Sequence, residues 1–143
     1  MTDPHDLQRF VDAQRDTFEV ALAEIRAGAK RSHWMWFIFP QLRGLGHSPT
    51  AQFFGIASLD EARAYLAHPL LGARLRECVA GLSPWAGRRD PVQIFGPVDA
   101  LKLGSSLTLF DQAAPGGCFG EGLDSLFCGK RDTRTLALLN APQ

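Results

Sequence analysis

The stretch Lys30-Arg31-Ser32-His33-Trp34-Met35-Trp36-Phe37-Ile38-Phe39-Pro40-Gln41 decides how the rest of the chain is read. Between Ser32 and Pro40 the apolar residues run too continuously to show period 2 or period 3.6, so the pattern allows both a buried strand and a buried helix. The uninterrupted part, Trp34 to Phe39, falls far short of the about 18 residues a membrane helix needs. Pro40 ends the run in either reading. Gly44, Gly46 and Pro49 then mark a loop before Gln52 to Ala57.

Outward from this stretch the periods are helical. Asp3-Pro4 is a helix start, because the carboxylate caps free amides and proline has no N–H to lose in the first turn. Leu7, Phe10, Val11, Phe18, Ala21, Leu22 and Ile25 follow at spacings of three and four, which predicts one helix ending near Gly28, with Lys30 and Arg31 placed where a helix C-terminus favours cations. Ser58-Leu59-Asp60-Glu61 reads as a capping box for a short helix to about residue 67. His68-Pro69 breaks that helix, and Leu70, Leu71, Leu75, Cys78, Val79 and Leu82 set the core face of the next. Ser83 to Asp90 reads as a flexible surface loop, Asp90-Pro91 as a second cap-then-proline start. From Val98 to Ala113 the apolar residues mix periods 2 and 4, and helix is the better reading. Phe119, Leu123, Leu126 and Phe127 form a further stripe ended by Gly129, and Asp132 caps a last helix carrying Leu136 and Leu139. The expected architecture is therefore all-α, a single domain over residues 1–143 with roughly six to eight short helices.

Composition agrees with a folded domain. At 143 residues, 45% hydrophobic and 21% charged, the chain is neither disordered nor fibrous. Fifteen Lys plus Arg balance fifteen Asp plus Glu, so no global field gathers nucleic acid or an acidic membrane. The polar, acidic N-terminus lacks the pattern of a signal peptide, and a cytoplasmic location is expected. Cys78, Cys118 and Cys128 are odd in number with no Cys-x-x-Cys pair, which predicts buried free thiols and neither a disulfide framework nor a zinc knuckle. No metal is expected, since the four histidines are scattered. His-Glu-x-x-His, Gly-x-Ser-x-Gly, EF-hand and Walker motifs are missing from the sequence.

Three segments carry candidate chemistry. In the first, Trp34 and Trp36 are candidate ligand walls and His33 and Gln41 candidate orienting groups, the composition of a pocket; the same residues also suit a core in which the tryptophans fill volume. In the second, Lys102-Leu103-Gly104-Ser105-Ser106-Leu107-Thr108 sets an ammonium and hydroxyls in an apolar stretch. A partly buried Lys102 needs a negative partner, and a ligand phosphate, Asp99 or Asp132 would each serve. Ser105 and Ser106 are candidate ligand contacts, or bond helix carbonyls. In the third, Gly129 to Thr135 is a basic turn entering a helix N-terminus, suited to an anion or to simple solvation.

These motifs resemble those of an uncharacterised bacterial family, a domain of unknown function sometimes labelled calpastatin in bacterial genomes. The shared marks are His33-Trp34-Met35-Trp36-Phe37-Ile38-Phe39-Pro40-Gln41, Tyr65-Leu66-Ala67-His68-Pro69-Leu70-Leu71-Gly72, Ile94-Phe95-Gly96 and Lys102-Leu103 with Ser105-Ser106-Leu107-Thr108-Leu109-Phe110. The resemblance implies a compact all-helical domain and turns the reading of residues 32–40 toward helix, but it implies no activity. Calpain inhibitors of the borrowed name are largely disordered, whereas this composition is globular. A weaker similarity to helical N-glycosidases acting on ADP-ribose-like compounds implies hydrolysis. Here the chain departs from their pattern, because no acid lies between Arg31 and Leu59 and Gln41 alone stands for the expected polar pair.

The resulting expectation is a site for a nucleotide or phosphorylated metabolite, with Lys102 neutralising anionic oxygen and His33 and Asp132 as acid-base groups. No cofactor is expected, the partner is an anionic small molecule, and a monomer is favoured. The rival expectation is a non-enzymatic interaction module or homo-oligomer using the same aromatics and arginines.

Overall fold

The computed structural model describes residues 3–140. The helix expected to start at Asp3-Pro4 begins only at Gln8, and the Asp3 carboxylate reaches that start, Oδ1 accepting from the Leu7 amide at 2.8 Å and Oδ2 from the Gln8 amide at 3.0 Å. The long first helix, however, is two helices, α1 (Gln8–Gln14) and α2 (Phe18–Ala27). Neither Pro nor Gly breaks it. The cause is Gln14, whose buried amide donates to the Phe37 carbonyl at 2.7 Å and the Tyr65 hydroxyl at 3.1 Å and accepts from Arg74 at 3.3 Å. These bonds satisfy the Gln14 amide inside the core and anchor it where the chain turns, so that Phe10 and Phe18 are both buried. Gly28 ends α2 with φ +69°, and a Cβ there would stand 2.7 Å from the Trp85 ring.

The decisive aromatic stretch is a single helical turn, α3 (Met35–Ile38). After it, Leu42 pairs with Ile56 in an isolated parallel bridge. The intervening segment, read as loop, contains α4 (Pro49–Phe54), capped by the Ser48 hydroxyl, which accepts from the Ala51 amide at 3.1 Å. In α5 (Leu59–Ala67), Ser58 caps as expected, but Glu61 does not close the box. Its carboxylate takes the Ala57 amide at 3.1 Å and Arg9 at 2.7 Å instead, forming a pair whose side chains are 5% and 4% exposed.

The helix α6 (Leu71–Leu82) follows so closely that a Cβ on Gly72 would lie 2.1 Å from the Leu66 carbonyl oxygen. The expected surface loop begins as a 3-10 turn, Ser83–Trp85, pinned by the Trp85 indole donating to the Ile25 carbonyl at 3.1 Å. Asp90 and Gln93 form a complete capping box on α7 (Pro91–Phe95). Next comes α8 (Pro97–Ala113), the longest helix, in which every residue from Ser105 to Asp111 is buried. Burial on every side of its second half explains the mixed periodicity there, since that part of the helix has no solvent face to pattern. Around it pack α5, α7, α9 (Cys118–Leu126) and α10 (Thr133–Leu139).

The fold is all-α. Among the described residues it has ten α-helices, more than the six to eight expected, because the first splits and a short helix forms after Ser48. No helix of the described residues is long and apolar enough to cross a membrane. The thiols do not share one environment: Cys78 is buried, Cys118 half-buried and Cys128 exposed. Burial pushes the Cys78 thiol up to about 12. Cys128 stays at the surface because it occupies the turn after α9, at φ +55°.

Candidate functional site

The C-terminus of α2 and the N-terminus of α3 are tied together by Glu24. One carboxylate oxygen accepts from the Arg31 amide at 2.8 Å, the Ser32 amide at 3.0 Å and the Trp34 indole at 2.9 Å. The other accepts from the Ser32 hydroxyl at 2.6 Å. Burial alone would raise this carboxyl, but the Ser32 hydroxyl, the two amides and the indole outweigh it and hold it at about 2. Glu24 is the acid that no residue of the aromatic segment itself supplies. Trp34 is fully buried against Phe39 and Phe95, so its only polar atom is spent inside the protein.

Lys30 continues the cluster. Its ammonium lies 4.9 Å above the Trp34 ring, bonds the Ser32 carbonyl and meets Asp99 at 2.9 Å. Asp99, in the first turn of α8, is shared: its other oxygen faces the Lys102 ammonium at 3.6 Å. Lys102 in turn sits 4.8 Å over the ring of Trp36. Tertiary packing thus joins Trp34, Trp36 and Lys102, three residues expected to form one site, through Lys30 and Asp99. The two halves differ in solvation, since the Lys30 side chain is 7% exposed and that of Lys102 25%. One carboxylate serves two ammoniums, and the outer ammonium has the longer contact.

Trp36 and Gln41 flank a crevice of about 10 Å³ closed by Phe54 and Gly46, room for about one water. His33 is exposed on the approach to α3. One turn beyond Lys102 the chemistry turns inward. The Ser105 hydroxyl donates to the Leu101 carbonyl and to Asp132 Oδ2, both at 3.1 Å. The same Asp132 oxygen accepts from the Thr135 amide at 3.0 Å and from the Thr135 hydroxyl, so Asp132 caps α10 and fastens it to α8. Thr108 completes the joint by accepting from the Asp132 amide at 2.9 Å. Ser106 is fully buried, and its hydroxyl has no hydrogen-bond partner among the described residues. No group of three or more potential metal ligands occurs among the described residues.

With this geometry in view, the chain can be compared with known proteins. The profile of a family described as "Protein of unknown function (DUF1810)" matches residues 4–139. The chain belongs to the DUF1810 family. The crystal structure of the conserved hypothetical protein Rv1873 from Mycobacterium tuberculosis is similar to it, with 51% sequence identity, a TM-score of 0.93, and coverage of 98% of this chain and 100% of the mycobacterial one. No curated protein matches. For this DUF1810 chain the comparisons bring a fold and a family but no reaction.

What sequence reasoning missed here is Glu24. It precedes Trp34 by ten residues, on the half-exposed side of α2, where a glutamate ordinarily solvates a helix. Gly28 was the available signal: a left-handed turn there sends the chain back along α2, bringing the Arg31 and Ser32 amides to the carboxylate.

Proposed function

We propose that this DUF1810 protein binds an anionic small molecule, a nucleotide or phosphorylated metabolite, at the Trp36–Lys102 edge. The observation that carries the reading is the loose hold on Lys102: its ammonium lies 4.8 Å over the half-buried Trp36 ring and, among the described residues, meets only Asp99, at 3.6 Å, a carboxylate already paired with Lys30 at 2.9 Å. Lys102 receives the anionic oxygen. Trp36, uncovered as the ammonium moves to the anion, offers a face to a base or sugar, and Gln41 and His33 supply orienting groups. Lys30 and Asp99 are positioning residues that hold Lys102 over the ring. Trp34, Ser105 and Asp132 support the site from behind, as core, brace and cap. Any hydrolytic step falls to His33, which is exposed, before Asp132, whose Oδ2 already serves three donors.

The test is titration of the protein with ADP and ADP-ribose, followed by tryptophan fluorescence and thermal melting. A saturable change in both signals is expected, weakened about tenfold in Lys102→Ala, the effect of one charge-assisted contact. No response at millimolar ligand, or equal affinity in that variant, overturns the reading.

A second reading rests on Val98 and Leu101, which are 65% and 76% exposed on α8 next to Lys102. In it this face joins two copies of the chain. Light scattering after size exclusion decides the matter: a monomer at micromolar concentration removes it.

A further inference from the structure

A separate cavity lies away from that edge, between α6 and α9. It is a groove of about 570 Å³ walled by Val79, Ala80, Gly122 and Leu126, with Arg76 and Glu121 at its rim and the Cys118 thiol inside. That volume falls within the usual range of small-molecule sites, and such sites have mostly apolar walls with a few polar groups. Ala80 keeps the groove open, because a larger side chain at this exposed position would fill it. Burial raises the half-buried Cys118 thiol although Arg76 lies nearby.

The rim adds a sign. Arg76 donates from one nitrogen to the Leu66 carbonyl at 3.2 Å and makes no ion pair among the described residues, so most of its guanidinium donors are unspent. Ser125 and Leu126 also border a second hollow of about 360 Å³, lined by Arg88, Arg89 and Asp90. Asp90 is committed to capping α7, accepting from the Gln93 amide at 2.9 Å. Within the groove, Arg76 and Glu121 are the charged lining residues, and Arg76 is the cation with donors left to give.

We infer that the α6–α9 groove is a second ligand site, which takes an aliphatic carboxylate of the fatty-acid class with its chain between the helices and its carboxylate on Arg76. Apolar walls supply the affinity and Arg76 fixes the direction of the chain. The inference does not depend on the Trp36–Lys102 reading, since no residue is common to the two sites.

Decanoate and decanol, both below their aggregation limits, are the probes, titrated into the full chain and followed by amide chemical shifts. Decanoate is expected to bind saturably, with shifts at Val79, Ala80, Gly122 and Ser125 and none along α3. Arg76→Gln should weaken decanoate about tenfold and leave decanol unchanged, the signature of a lost charge-assisted contact. Ala80→Trp, which fills the groove from an exposed position of α6, should abolish both while the melting temperature confirms folding. Absence of saturable decanoate binding at millimolar concentration, binding that survives Ala80→Trp, or shifts centred on Trp36 and Lys102 would each overturn the inference. Equal loss of decanoate and decanol in Arg76→Gln would refute the role given to Arg76.

Discussion

Trp34 and Trp36 stand two residues apart on the same turn of chain, and each has a lysine ammonium within 5 Å of its ring. Around Trp34 every polar group has a partner: the indole is on Glu24, and Lys30 is on Ser32 and Asp99. Around Trp36 the ammonium is held at 3.6 Å by a carboxylate already engaged, and it is partly in water. The difference separates a clamp from a site. A buried group with all its bonds made inside the protein has nothing left to offer a ligand, and removing it leaves its partners orphaned. A group with unspent charge at a solvent edge costs little to move. Arg9 obeys the first rule too, since its donors go to five acceptors, including Phe53, Gly55 and Glu61.

The comparison is broken most directly by removing each ring. Trp34→Ala is expected to cost about 3–5 kcal/mol, as for a large buried aromatic, and Trp36→Ala only about 1 kcal/mol. Urea denaturation measures both, and equal losses would erase the distinction between the two regions.

Glu24 gives a pH test of the clamp. Its folded carboxyl is held at about 2 against an ordinary 4.5, so its contribution is fully present above 4.5 and is lost as pH falls toward 2. In that window the unfolded chain takes up the proton first. Glu24→Gln should therefore be less stable than the parent at pH 7, with the gap closing between those two values. A gap constant from pH 7 to 2 would show that the carboxylate is not what the loop is built on.

The smallest effect belongs to the open edge. Lys102→Ala loses a partly exposed cation–π contact and a long ion pair, worth about 0.5–1 kcal/mol together. A loss above about 2 kcal/mol in thermal unfolding would make Lys102 a structural residue and remove it from the ligand site.

Local chemistry was legible at many points. Ser58, Asp90 and Asp132 each cap the helix their sequence announces, and Gly28 ends the second helix, because a cap needs only residues within one turn. The break after Gln14 was not legible, since its cause lies on Phe37, Tyr65 and Arg74. Ser48 capping a helix inside an apparent loop was legible in principle and lost among the neighbouring glycine and proline signals. Asp99 was among the partners foreseen for Lys102, being one helical turn away, whereas Lys30 as its second claimant required the segment after α2 to fold against the start of α8.

From its sequence alone this protein is an all-α domain with its caps, its apolar stripes and its aromatic segment in place, since those follow from contacts between near neighbours. Which tryptophan is core and which is edge, which aspartate caps and which is shared by two lysines, and where the α6–α9 groove opens were decided only by tertiary packing. The physical reason is that burial and charge balance belong to surroundings, and the surroundings of Trp34, Lys102 and Arg76 are built from helices distant in sequence.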